Sequence, residues 1–227
     1  MIKAIIFDLD NTLTDFQKFK KAAVEGAVEA MLDAGLKGDR EKMIEKIFQV
    51  YGKEGIEDQQ VFDKFLEKES GSIDYKILAA GIIGYRKAKD GAMALYPRVR
   101  LTLTELVKKG IKMVIVSDAP RLPAWMRICS LGLQHYFDHV LTCDDTGVKK
   151  PSSIPFEMAL SLLKIKPQQA IMVGDWVERD IEGAKKLGIK TAFARYGDSF
   201  GTAASGADYD LDDISSLLGI IDKENGK

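Results

Sequence analysis

The chain has 227 residues, of which 46% are hydrophobic and 30% charged, with a formal net charge of −1. That apolar content allows a packed core and argues against wholesale disorder. The charge balance gives no electrostatic reason to expect nucleic acid or an anionic membrane as partner. The two cysteines, Cys129 and Cys143, form neither a metal spacing nor a disulfide framework, and they read as small buried hydrophobes. No apolar run reaches the length of a membrane span. The apolar start MIKAIIF is short and is broken at once by acids, so the expectation is a soluble, cytoplasmic protein.

Residues 2–7, IKAIIF, end in acids and the turn signal Asn11-Thr12, as a buried strand of a parallel sheet would. The interval 16–93 differs. Phe16, Phe19, Ala23, Val24, Ala27, Val28 and Met31 keep helical spacing, as do Met43 to Tyr51, Val61 to Leu66 and Ile73 to Tyr85. Glycines punctuate these runs, which predicts four helices without a strand between them. From residue 94 strands and helices alternate. Strands are expected at 111–116, 138–142, 170–173 and 190–194. Helices are expected at 98–109, around Pro123 to Leu131, at 153–164 and at 178–187. The polar tail from Asp222 to Lys227 reads as frayed. The fold class is therefore α/β, a Rossmann-like parallel sheet core of 1–15 and 94–227 with an inserted all-helical domain, 16–93.

In open α/β sheets the active crevice lies at the carboxyl ends of the strands. Asp8 and Asp10 follow the first strand, and Ser117 and Asp118 the second. Asp144, Asp145, Lys149 and Lys150 follow the third. Gly174 and Asp175 follow the fourth, with Asp180 five residues on. Carboxylates in open geometry suit Mg²⁺. A carboxylate can attack phosphorus and form an aspartyl phosphate, splitting one hard step into two. A lysine and a hydroxyl can hold the transferring group's oxygens.

These motifs, in this order, resemble those of the haloacid dehalogenase-like hydrolase superfamily over nearly the whole chain. Asp8-Leu9-Asp10-Asn11-Thr12-Leu13 is similar to its first motif. The resemblance implies that Asp8 is the nucleophile and Asp10 the general acid/base. It also implies Mg²⁺ held by the Asp8 side chain and the Asp10 backbone carbonyl. Ser117 stands where the second motif places a phosphate-binding hydroxyl. Lys150, directly before Pro151, matches the third-motif lysine, and Asp175 and Asp180 match the metal-supporting acids of the fourth. Two positions depart from the pattern. Asp118 stands where Asn or a small residue is usual. It belongs to the phosphate-binding set through its side chain or its backbone N–H. A carboxylate there weakens phosphate binding unless it points away or meets a cation. Trp176 stands where small polar residues are common, and reads as pocket wall or packing.

The resemblance further implies that 16–93 is a helical cap, hinged near Thr14–Phe16 and Ala94–Pro97, and that the substrate is a small phosphorylated metabolite such as a triose phosphate or phosphoglycolate. The presence of Asp10 and Asp175 argues against the metal-free dehalogenase chemistry of the same fold. A phosphosugar mutase is the alternative enzyme, and a non-catalytic binding protein is disfavoured because no motif residue is lost. Monomer and homodimer both remain open.

Overall fold

The computed structural model describes residues 1–226. The chain divides into two compact units, Met1–Asp15 with Ala94–Lys227, and Phe16–Met93.

The second unit consists of α1 (Phe16–Asp33), α2 (Arg40–Glu54), α3 (Val61–Ser70) and α4 (Tyr75–Ala92). Local chemistry sets their ends. Asp39 accepts from the Lys42 N–H at 3.0 Å to start α2. Asp74 accepts from the Lys76 N–H at 2.9 Å to start α4. Each carboxylate satisfies an amide that the first helical turn leaves without a partner. The buried faces meet in a core built from Val24, Val28, Met31, Ile47, Phe65 and Leu78. α1 and α4 approach closely where Gly26 faces Gly84. A Cβ on Gly84 would collide with the Gly26 carbonyl.

The first unit begins with β1 (Ala4–Phe7) and resumes after the insertion with α5 (Val99–Lys108). It continues through β2 (Lys112–Val116), α6 (Arg121–Ser130), β3 (His139–Leu141), α7 (Cys143–Thr146) and α8 (Ser153–Leu163). Then come β4 (Ala170–Gly174), a π turn over Val177–Ile181, α9 (Glu182–Lys185), β5 (Lys190–Ala194), β6 (Tyr209–Leu211) and α10 (Ser216–Glu224). The strands described form one parallel sheet in the order β3-β2-β1-β4-β5-β6. β1 and β4 are buried along their whole length, which explains their unbroken apolar runs. Ala4, Ile6, Val114 and Met172 pack with Phe156, Leu160 and Leu163 of α8. Each such large side chain contributes about 1.5–3 kcal/mol by burial.

The chain leaves and re-enters this unit at one point. Thr14 pairs antiparallel with Leu95, and the Tyr96 N–H donates to the Leu13 carbonyl at 3.1 Å.

Several expectations need correction. β6 was not foreseen. The tail does not fray through its described part: α10 runs to Glu224, which pairs with Lys190 at 2.5 Å, and the Asn225 side chain receives the Ile2 N–H at 2.6 Å. Lys227 lies outside the described residues. The helix expected over 178–187 is a π turn followed by one short α turn. Cys129 is exposed and Cys143 half-buried, so neither is a core residue. On α6 the buried residues are Ala124, Arg127 and Ile128, while Leu122 and Met126 face solvent. Among the described residues, no helix is long and apolar enough to cross a membrane.

Candidate active site

β1 and β4 are neighbours, with Phe7 in register with Val173, so the residues that follow them emerge side by side. β1 is also the switch point. The chain continues from it to β2 on one side, while β4 lies on the other, and such points open a crevice at the carboxyl ends of the strands.

Asp8 is the first residue past β1, and its N–H donates to the Val173 carbonyl at 2.9 Å. The chain then turns sharply through Asn11 at φ 60°, a left-handed conformation that Asn tolerates well. The turn aims Thr12 back at the site, where its hydroxyl donates to Asp175 Oδ1 at 3.1 Å. The Tyr196 hydroxyl holds the same turn by donating to the Thr12 carbonyl at 2.8 Å.

Lys150 comes from the loop after β3, and its side chain is 2% exposed. Its Nζ donates to Asp8 Oδ1 at 2.6 Å and to the Val116 carbonyl at 2.9 Å, and lies 2.7 Å from Asp180 Oδ1. Asp180 is the fourth residue of the π turn. Its other oxygen accepts the Trp176 N–H at 3.1 Å. π turns recur at functional sites because the extra residue re-aims a side chain. Gly174 makes room for it, since a Cβ there would overlap the Asp180 carboxylate.

One oxygen each from Asp8, Asp175 and Asp180 lies within 4.8 Å of the others. All three residues are buried. Burial pushes the Asp8 carboxyl up to about 7; Lys150 pulls it down, and Asp180 and Asp10 push it up again. Burial, then Asp8 and Asp180, holds Asp175 well above the ordinary carboxylate range. Burial also raises Asp180, against the pull of Lys150. Burial would lower Lys150, but Asp180, Asp8 and Asp118 outweigh it and keep the ammonium charged. One ammonium does not balance three buried carboxylates. The donor set is oxygen only, which suits a hard divalent cation such as Mg²⁺, so these residues fit a metal of that class.

The structure brings Asp8, Lys150, Asp175 and Asp180 into one cluster. Ser117 directly follows β2, is buried, and its Oγ accepts the Ala119 N–H at 3.2 Å. The Asp10 side chain stands outside the carboxylate cluster, because Arg127 of α6 donates to its Oδ2 at 2.8 Å. The Asp118 carboxylate takes the Lys150 N–H at 2.9 Å and Arg179 at 3.2 Å. Lys149 is exposed, and Asp145 caps α7 through Thr142. Trp176 packs its ring 4.5 Å from Phe200. Together with Pro151 and Arg179 these rings line a cleft of about 540 Å³ in the same unit.

Four participants were not anticipated: Arg127, Thr12, Tyr196 and Arg179. Thr12 lies inside the first motif and carried a usable signal. Arg127 carried a misleading one, a cation in a helix where charge is expected to face water, yet it is buried beside Ala124 and Ile128.

The sequence matches the family model described as haloacid dehalogenase-like hydrolase over residues 2–188. The chain belongs to that family. It is 35% identical to a glyceraldehyde 3-phosphate phosphatase of Pyrococcus furiosus, over 99% of this chain and 95% of that one. It is 32% identical to a phosphoglycolate phosphatase of Aquifex aeolicus, over 86% of each. Its fold matches the crystal structure of a HAD phosphatase from Thermococcus onnurineus with a TM-score of 0.71 at 23% identity, over 97% of this chain and 98% of that one. The chain is an enzyme of the phosphatase branch.

Proposed function

We propose that this phosphatase hydrolyses monoesters of small metabolites, triose phosphate or phosphoglycolate in type, with Mg²⁺ bound among Asp8, Asp175 and Asp180. The observation that carries the reading is the convergence of those three carboxylates on Lys150 at the rim of the sheet. The names of the relatives support the substrate class.

Asp8 attacks phosphorus through its carboxylate. The bond from phosphorus to the ester oxygen breaks, and Asp10 delivers a proton to the departing alkoxide. An aspartyl phosphate on Asp8 remains. Asp10, now a carboxylate, takes a proton from water as that water attacks phosphorus. The bond from phosphorus to the Asp8 oxygen breaks, inorganic phosphate leaves, Asp8 is again a carboxylate and Asp10 again carries its proton. Lys150 holds Asp8 in line and offsets charge on the phosphoryl oxygens, which the Ser117 hydroxyl also receives. A bound Mg²⁺ would supply charge neutralisation between nucleophile and phosphoryl group. Arg127 holds the Asp10 side chain in a defined place by donating to its Oδ2. The helical unit corresponds to the family's inserted cap. The enzyme works in the cytoplasm.

A screen of phosphate esters with purified protein tests the proposal. Free phosphate should be released from triose phosphate or phosphoglycolate, and a chelator should stop it. Full activity in the chelator would remove the metal from the mechanism. Transfer of phosphate to a second sugar hydroxyl instead of water would make the enzyme a mutase.

A further inference from the structure

The two departures from the family pattern, Asp118 and Trp176, meet at a single residue. Arg179, from the π turn after β4, donates from one guanidinium nitrogen to Asp118 Oδ2 at 3.2 Å. Its guanidinium lies 3.7 Å from the centre of the Trp176 ring. The second Asp118 oxygen accepts the Lys150 N–H at 2.9 Å. The Trp176 N–H in turn donates to Asp180. The Asp118 carboxylate therefore links the loops that follow β2, β3 and β4.

A carboxylate directly after Ser117 is unfavourable for a phosphoryl group, because like charges repel strongly in a partly desolvated crevice. With Asn at that position no compensating charge is needed. With Asp it is, and Arg179 stands where the need arises. The Trp176 face accounts for the choice of cation. A flat guanidinium stacks on an indole and still presents its edge donors, which an ammonium does not.

We propose that Arg179 is a positioning residue for phosphate recognition. It draws the Asp118 carboxylate away from the phosphoryl group, offsets its charge, and through Asp118 fixes the backbone of Lys150. Trp176 is the platform that holds Arg179 in place. The proposal rests on the phosphatase reading above and adds a compensated pair, Asp118 with Arg179, that replaces a neutral side chain. The Arg179 side chain is 36% exposed, so water screens part of the pair and the effect is moderate.

The test uses the full chain with Mg²⁺, p-nitrophenyl phosphate as substrate and inorganic phosphate as inhibitor. Arg179→Met should raise KM and the phosphate inhibition constant together by roughly 10-fold, with kcat changed less than about threefold. Asp118→Asn added to Arg179→Met should restore both constants to within about threefold of the parent, because the uncompensated charge is gone. Arg179→Lys, which keeps the charge and loses the stack, should fall between. A plain structural brace gives the opposite pattern, in which the double variant is no better than Arg179→Met. That outcome, or an Arg179→Met variant with parental constants, overturns the proposal. Should the parent hydrolyse no ester, the phosphatase reading fails separately. Calorimetric binding of inorganic phosphate to the same variants then still decides the role of Arg179.

Discussion

Two lysines are buried to the same degree, 4% exposed each, in the two units of this chain. In the helical unit, Lys20 donates to the Ile56 carbonyl at 2.8 Å and the Tyr85 hydroxyl at 3.0 Å, with its Nζ 3.9 Å from the centre of the Tyr51 ring. In the α/β unit, Lys150 meets the carboxylates of Asp8 and Asp180. Both ammonium groups are solvated by protein. A carbonyl, a phenol and a ring face tie helices together. Carboxylates that also crowd one another leave the site short of positive charge and receptive to a cation and a phosphate. Burial of a lysine alone thus says little about function; what marks Lys150 is the group of mutually close carboxylates it serves.

The sharpest way to break this contrast begins with the nucleophile. Asp8→Asn should reduce hydrolysis by at least about 10⁴-fold while keeping the fold, measured as kcat with circular dichroism as control. Substantial remaining turnover would move the nucleophile elsewhere. Lys150→Met should lower kcat/KM on the order of 10³-fold. It also leaves the carboxylates without their ammonium, so its melting temperature should depend more steeply on Mg²⁺ than the parent's.

The third prediction concerns pH. The folded Asp8 carboxyl titrates near 7 against an ordinary 3.8, so between those values the folded state binds protons that the unfolded state releases. The stability this contributes is present below the ordinary value and lost as pH rises through about 7. Metal-free protein should therefore melt several degrees lower at pH 8 than at pH 6, and saturating Mg²⁺ should flatten the curve. A metal-free curve that rises with pH in this window would contradict the burial argument.

The smallest catalytic effect is expected in the helical unit. Lys20→Met should cost about 1–2 kcal/mol of stability by removing the donor from a part-buried carbonyl and phenol. It should leave kcat/KM within about threefold of the parent. Loss of hydrolysis in a folded Lys20→Met protein would dissolve the distinction between the two lysines.

Much of this was legible in the sequence. β1 and β4 are unbroken apolar runs, as strands buried on both faces must be, and β2 and β5 are apolar after a leading Lys112 and Lys190-Thr191. Asp8 and Asp175 could be located because each directly follows such a run, with Asp10 and Asp180 a few residues on. β6 escaped notice because it is three residues, Tyr209–Leu211, inside an acidic stretch, and its pairing with β5 leaves no apolar pattern. α7 is a single turn held by a capping box between Thr142 and Asp145, too short for any periodicity. Arg127 was missed for a deeper reason. Helical patterning assumes that charge faces water, and Arg127 is buried because a carboxylate 117 residues earlier in the chain receives it. Partnerships at that separation are properties of the fold, and no local window contains them. Asp118 illustrates the same point, since alone it departs from the family pattern and it makes sense only beside Arg179.

The pairing of Thr14 with Leu95 carries a consequence for how such a chain is built. The α/β unit closes on itself there, with the Leu13 and Tyr96 backbones already bonded across the gap. Everything from Phe16 to Met93 enters and leaves through one doorway, as a loop would. The register of β1 against β2 and β4 is set entirely by residues outside the insertion. The strand ends that carry the motif acids and the inserted helices thus occupy separate stretches of one polypeptide, and the helices can diverge in sequence without touching the ladder that sets those acids side by side.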